Sequence, residues 1–171
     1  ALSTRGISLL ASKYHIPLVY ASTGSVYMPI KKEMPIKEDF DVQGNSVYAC
    51  SKALGEKYVQ DSTAPWMILR LAHLYGKTKR MHGLIGGYLD KLERGESPVL
   101  MGGSQTNDFC YIKDISIANY LAVTAPWDKW NQAYNIGTGR ELSAKEAGTI
   151  VIKTFNKLNP DKKFKGEVTI L

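Results

Sequence analysis

The stretch Ile16-Pro17-Leu18-Val19-Tyr20-Ala21-Ser22-Thr23-Gly24-Ser25-Val26-Tyr27 decides the fold. It opens as an almost continuous apolar run, the pattern of a strand buried on both faces of a parallel sheet. Hydroxyls and a glycine follow where such a strand must end. In open α/β sheets ligands bind beyond the carboxyl ends of the strands, so Ser22, Thr23 and Ser25 stand where chemistry is expected.

The flanks agree with this reading. Residues 3–14 place Ile7, Leu9, Leu10 and Ala11 among polar residues, which predicts a helix ending near His15 and Pro17. Residues 28–46 form a long charged loop with Pro29, Pro35 and Gly44, and loops of that length in compact domains are usually functional. A helix is expected over 46–60 and a second apolar strand over 66–72. Beyond them, 83–94 reads as a helix closed by Gly95, 98–101 and 108–112 as short strands, and 114–125 as a helix capped by Asp114. A strand over 133–136 precedes the Gly137 and Gly139 turn. Ser143 and Glu146 then make a capping box for a helix running to about Leu158. Helices alternating with strands predict an α/β domain.

With 171 residues, 44% hydrophobic and 22% charged, the chain can bury one sizeable core and is not a disordered segment. Its longest apolar run falls far short of the ~18 residues a membrane-spanning helix needs, so no membrane partner is expected. The cysteines Cys50 and Cys110 show no metal-ligand spacing, and no metal site is expected. A net charge of +6 favours anionic ligands. The basic clusters at Lys77, Lys79, Arg80 and at Lys162, Lys163, Lys165 lack interleaved aromatics, which reads as solvated surface rather than a nucleic-acid groove.

Tyr48 and Lys52 stand four residues apart in a predicted helix, which puts both side chains on one face. A tyrosine with a pKa of ~10 is a poor base at neutral pH. A neighbouring ammonium favours the phenolate and makes it a better one. A hydroxyl at the end of the first strand, such as that of Thr23, can hydrogen-bond a substrate oxygen while Tyr48 takes or returns its proton. Each feature alone has a plain alternative: an amphipathic helix with a surface lysine, and an ordinary strand-end turn.

Taken in order, five landmarks resemble the extended short-chain dehydrogenase/reductase family, in particular its NAD-dependent nucleotide-sugar epimerases and dehydratases. They are Val19 to Tyr27; Tyr48-Ala49-Cys50-Ser51-Lys52 with Glu56; Leu69-Arg70 with Tyr75-Gly76; Gly103 and Gln105 to Asp114; and Tyr134-Asn135-Ile136-Gly137. The resemblance implies a Rossmann-like doubly wound parallel sheet, incomplete here because the N-terminal strands are missing, with a small C-terminal substrate-binding part. Residues 1–75 would hold the second half of the dinucleotide-binding domain. Residues 76–171 would mostly form the substrate part, with segments returning to the main sheet. Thr23, Tyr48 and Lys52 would be catalytic, with Tyr48 the acid/base and Lys52 on the nicotinamide ribose. Ser22, Ala72 and Leu74 would join Tyr48 and Lys52 at the cofactor, NAD or NADP. Thr23, Ser25, His73 and Asn107 would face the substrate, expected to be a nucleotide sugar. A cytoplasmic enzyme is implied, with the helix over 46–60 available for a homodimer contact.

Departures from the family pattern narrow the reaction. Gly24 and Ser25 stand where the dehydratases carry acids, which disfavours dehydration relative to oxidation followed by reduction. His73 replaces a usual Asn. Asn107 replaces a usual Arg, removing a bidentate phosphate contact. No Gly-x-x-Gly-x-x-Gly occurs in the 171 residues, so the chain is expected to be part of a larger enzyme and inactive alone. Two other readings stay open: a ketoreductase of the same fold acting on a smaller carbonyl compound, and a non-catalytic RNA-binding or regulatory relative. Plainer roles are expected of His15 and His82 (surface or loop), Cys50 (a packed thiol), Trp66, Trp127 and Trp130 (packing or edge), and Asp108 (tying a loop).

Overall fold

A computed structural model of the chain describes residues 1–27, 35–77 and 83–171. The start of the expected long loop, together with Lys79, Arg80 and His82, lies outside the described residues. Helix α1 (Leu2–Tyr14) ends at His15 in the left-handed conformation. Strand β1 (Leu18–Thr23) runs into a 3₁₀ turn at Gly24–Val26. Ser46 caps α2 (Val47–Gln60) by accepting from the Ala49 N–H at 3.1 Å. Next come β2 (Trp66–Leu71), β3 (His73–Tyr75), α3 (Gly83–Glu93), β4 (Val99–Leu100) and β5 (Thr106–Tyr111). They are followed by α4 (Ile112–Val123), β6 (Gln132–Ile136), β7 (Glu141–Ser143), α5 (Ala144–Leu158) and β8 (Thr169–Ile170). The chain forms two compact units, one of Ala1–Ala72 with Lys113–Gly137, the other of His73–Ile112 with Thr138–Leu171.

The first unit is built on a parallel sheet of order β1-β2-β6, in which Leu18 pairs Trp66 and Met67 pairs Gln132. Being central, β2 buries Met67, Ile68, Leu69 and Arg70. Met67 and Leu69 pack with Ala122 of α4 and with Trp130. The expectation that β1 is buried on both faces needs correction: it lies at the edge of the described sheet and is mostly half-buried. Helix α2 packs closely on β1 at Gly55, where any side chain would strike the Tyr20 hydroxyl.

In the second unit β5 lies between β3, parallel to it, and β7, antiparallel, while β4 pairs with β8. Its core is apolar: Tyr88 and Leu92 of α3 against Val151, Ile152 and Phe155 of α5. The Ser143–Glu146 capping box opens α5 as expected. Asp108 ties the following loop, accepting from the Thr138 N–H at 2.8 Å and the Gly139 N–H at 2.9 Å.

Two further expectations change. Asp114 sits inside the first turn of α4 rather than at its cap, because the helix starts directly from β5; there it still favours the helix dipole. Cys50 is exposed, since it faces away from β1. Trp127 and Trp130 flank a 3₁₀ turn with ring centroids 5.7 Å apart; Trp130 is buried and Trp127 exposed.

Candidate active site

At the carboxyl end of β1, Thr23 accepts the Ser25 N–H at 3.2 Å and caps the 3₁₀ turn, and its hydroxyl lies 3.3 Å from that of Ser25. Alternation along the strand turns Ser22 inward, where its hydroxyl donates to Glu56 of α2. That bond engages the Ser22 side chain, and Ser22 itself is buried on the β1–β2 ladder opposite Arg70. Ser25 is exposed.

The face of α2 that meets this strand end carries Tyr48, Lys52 and Glu56 at successive turns. Tyr48 is 57% exposed, so its phenol is open to a ligand. Lys52 is anchored: its Nζ donates to the Ala21 carbonyl at 2.8 Å and sits 5.2 Å from the Tyr20 ring centroid. An ammonium has three donors, and this bond uses one. Tyr20 has its pKa raised, chiefly by burial, with the nearby Glu56 and Tyr48 adding to the rise against a hydrogen bond to Thr4.

Beneath this face lies an ion pair that sequence reasoning missed. Arg70 and Glu56 are 4% and 2% exposed. Arg70 Nε donates to both Glu56 oxygens at 3.2 Å, and Nη2 to Oε2 at 2.9 Å. Its Nη1 reaches the Tyr27 hydroxyl at 2.8 Å and the Glu38 carbonyl at 2.7 Å. The Tyr27 hydroxyl donates to Asn135 Oδ1 at 2.7 Å; Asn135 in turn donates to the Ile36 carbonyl and, through its N–H, to the Glu38 carboxylate, each at 2.9 Å. Burial opposes the Arg70 charge, yet bonding to Glu56 and Tyr27 raises its pKa. A charge inside the apolar run Trp66 to Leu71 is the signal that could have found it, because a buried charge requires a partner.

The remaining candidates fall in both units. Ala72, half-buried, closes the first unit by donating its N–H to the Ile136 carbonyl at 2.9 Å. In the second unit His73 is exposed and stacks edge-on to Phe109 at 5.2 Å, Leu74 is exposed, and Asn107 pairs with Leu142 on the β5–β7 ladder.

The family model described as "NAD dependent epimerase/dehydratase family" matches residues 2–137, which include the whole Thr23, Tyr48 and Lys52 arrangement. The chain belongs to that family. It is 33% identical over 159 residues to a protein of Methanocaldococcus jannaschii provisionally named UDP-glucose 4-epimerase, covering 88% of this chain and 51% of that protein. Among solved structures, dTDP-glucose 4,6-dehydratase of Bacillus anthracis, in complex with NAD, matches at a TM-score of 0.83 and 25% identity, over 98% of this chain and 53% of the other. UDP-glucose 4-epimerase of Thermotoga maritima, with UDP-glucose, matches at 0.82 and 22% identity, over 98% and 54%. This member of the epimerase/dehydratase family therefore has the Rossmann-type α/β fold, and it spans about half the length of the relatives it matches.

Proposed function

We propose that the intact gene product is an NAD-dependent epimerase acting on a nucleotide sugar. The observation that carries this reading is Lys52, fixed to the Ala21 carbonyl at the carboxyl end of β1 one helical turn from the exposed Tyr48. The relatives above are named for UDP-glucose epimerization and dTDP-glucose dehydration, and that supports a nucleotide-sugar substrate.

The residues present fit the nicotinamide end of the dinucleotide. Lys52 keeps donors for ribose hydroxyls, and Ser22 and Ala72 are assigned to the same end of the cofactor. NAD, when bound, supplies hydride acceptance and return. Tyr48 takes the proton of the substrate hydroxyl while that carbon is oxidised, and gives it back when the carbon is reduced on its other face. Thr23 hydrogen-bonds the same oxygen, and Lys52 stands one helical turn from Tyr48. Gly24 and Ser25 offer no carboxyl group for an elimination, which favours epimerization over dehydration. His73 and Asn107 are assigned to the substrate, Asn107 as a neutral contact to the diphosphate, and Leu74 to the cofactor.

A homodimer is part of this reading, supported by the exposed Val47 and Leu54 on α2, and light scattering tests it. So is a cytoplasmic setting, which cell fractionation tests. Among the described residues no helix is long and apolar enough to cross a membrane.

The decisive assay follows interconversion of UDP-sugars by the intact gene product with NAD. Tyr48→Phe should lower turnover by about 10²–10⁴-fold, and unchanged turnover would refute the assignment.

A further inference from the structure

We infer that the buried Glu56–Arg70 pair is a positioning device that sets the Ser22–Thr23 strand end against the Tyr48 and Lys52 face of α2. This inference rests on the function proposed above. Glu56 lies on the same stripe of α2 as Tyr48, eight residues and about 12 Å along a stiff helix. It is the acceptor of the Ser22 hydroxyl, so one carboxylate joins the helix to the residue next to Thr23. Lys52 makes the second tie, to the Ala21 carbonyl at 2.8 Å. Helix and strand end are thus held by two polar bonds, one turn apart on the stripe that carries Tyr48.

Arg70 extends the device to the residues that follow the strand end. Its fork reaches Glu56 on α2, Tyr27 just after the 3₁₀ turn, and Glu38 in the segment below it. The segment Thr23 to Tyr27 is therefore fixed at both ends, by Ser22 on Glu56 and by Tyr27 on Arg70. A buried ion pair is a weak source of stability, because a well-packed apolar pair often does as well. What an apolar pair cannot do is aim a hydroxyl and a turn at a chosen point, and small misplacements at a reacting centre cost rate heavily. Glu56 and Arg70 are 2% and 4% exposed and are closed off from a ligand; they act through Thr23, Tyr48 and Lys52.

The test uses the intact gene product with Glu56→Gln, Arg70→Lys and the paired Glu56→Leu/Arg70→Met variant. Melting, UDP-sugar kinetics and hydrogen exchange over residues 22–27 are read together. The paired variant should melt well above Arg70→Met and somewhat below the parent, because the buried Ser22 hydroxyl loses its acceptor. It should lose about tenfold or more in kcat, with KM changed by less than about threefold. Exchange at 23–27 should quicken. Arg70→Lys should not rescue the loss, since an ammonium cannot span the fork. Unchanged kcat and exchange in the paired variant overturn the proposal, as does a kcat loss that only tracks melting. If the paired variant fails to fold, Glu56→Gln carries the same readouts. If the parent turns over no UDP-sugar, or Tyr48→Phe leaves turnover intact, the functional reading fails; exchange at 23–27 then decides alone whether the pair positions this strand end.

Discussion

The two units solve the problem of an interior in opposite ways. Among the described residues, the buried polar and charged side chains, Ser8, Ser22, Glu56 and Arg70, all belong to the first unit. The second unit fills its core with Tyr88, Leu92, Val151, Ile152 and Phe155. An apolar core tolerates small movements, whereas a buried fork and carboxylate hold only at defined distances and angles. The Tyr48, Lys52 and Glu56 stripe of α2 lies in the unit that accepts the cost of burying charge. Polar interiors, in this chain, mark where geometry matters more than stability.

The largest expected effect breaks the ion pair from one side. Arg70→Met leaves the Glu56 carboxylate buried without its partner, and chemical denaturation should show a loss of about 3–5 kcal/mol. The paired Glu56→Leu/Arg70→Met change should recover most of it. A paired variant as unstable as the single one would show that the pair stabilises the first unit, and the contrast between the units would fail.

An intermediate effect compares two close glycines. Gly55 of α2 faces Tyr20, and Gly148 of α5 faces Val168 at 2.6 Å and Tyr88 at 3.0 Å from the position a β-carbon would take. Gly55→Ala should cost about 1–3 kcal/mol and also lower turnover, because the helix that shifts carries Tyr48 and Lys52. Gly148→Ala should cost a similar amount, because Val168 and the buried Tyr88 both crowd the site, but it should leave turnover unaltered. Equal losses of turnover would remove the distinction drawn between the units. A smaller change in the apolar core, Ile152→Val, should cost about 1 kcal/mol with turnover unaltered.

What could be read from the sequence follows from the range of each interaction. The helix containing Tyr48 and Lys52, the Ser143–Glu146 box and the strand over Trp66 were legible because caps and periodicity act within a few residues. The α/β fold and the family followed from five such local landmarks in order. Strands β3, β7 and β8 were not legible, since two or three residues carry no periodicity and exist only through their partners. The Ser22–Glu56 bond escaped for the same reason: its partners lie 34 residues apart, and nothing near Ser22 announces a carboxylate. Nor could the apolar run at β1 reveal that the strand lies at the edge of the described sheet.

The smallest effect concerns two tyrosines, one in each unit, and it separates charge from burial. Tyr20 and Tyr88 both have pKa values raised above the ordinary 10.0, and for Tyr88 burial is the whole cause. Tyr20 is raised chiefly by burial, with Glu56 and Tyr48 adding to it. A raised folded-state pKa means that the neutral phenol is favoured by folding. Its contribution is complete below about pH 10 and is lost as pH rises through the folded value. Stability should therefore fall above about pH 10, and Tyr20→Phe and Tyr88→Phe should each flatten that fall. Adding Glu56→Gln should reduce the part that Tyr20→Phe removes and leave the Tyr88 part unaltered. Alkaline denaturation series on the four variants read this directly. Equal sensitivity of both parts to Glu56→Gln would mean that the carboxylate acts on overall stability rather than on its neighbours in the first unit.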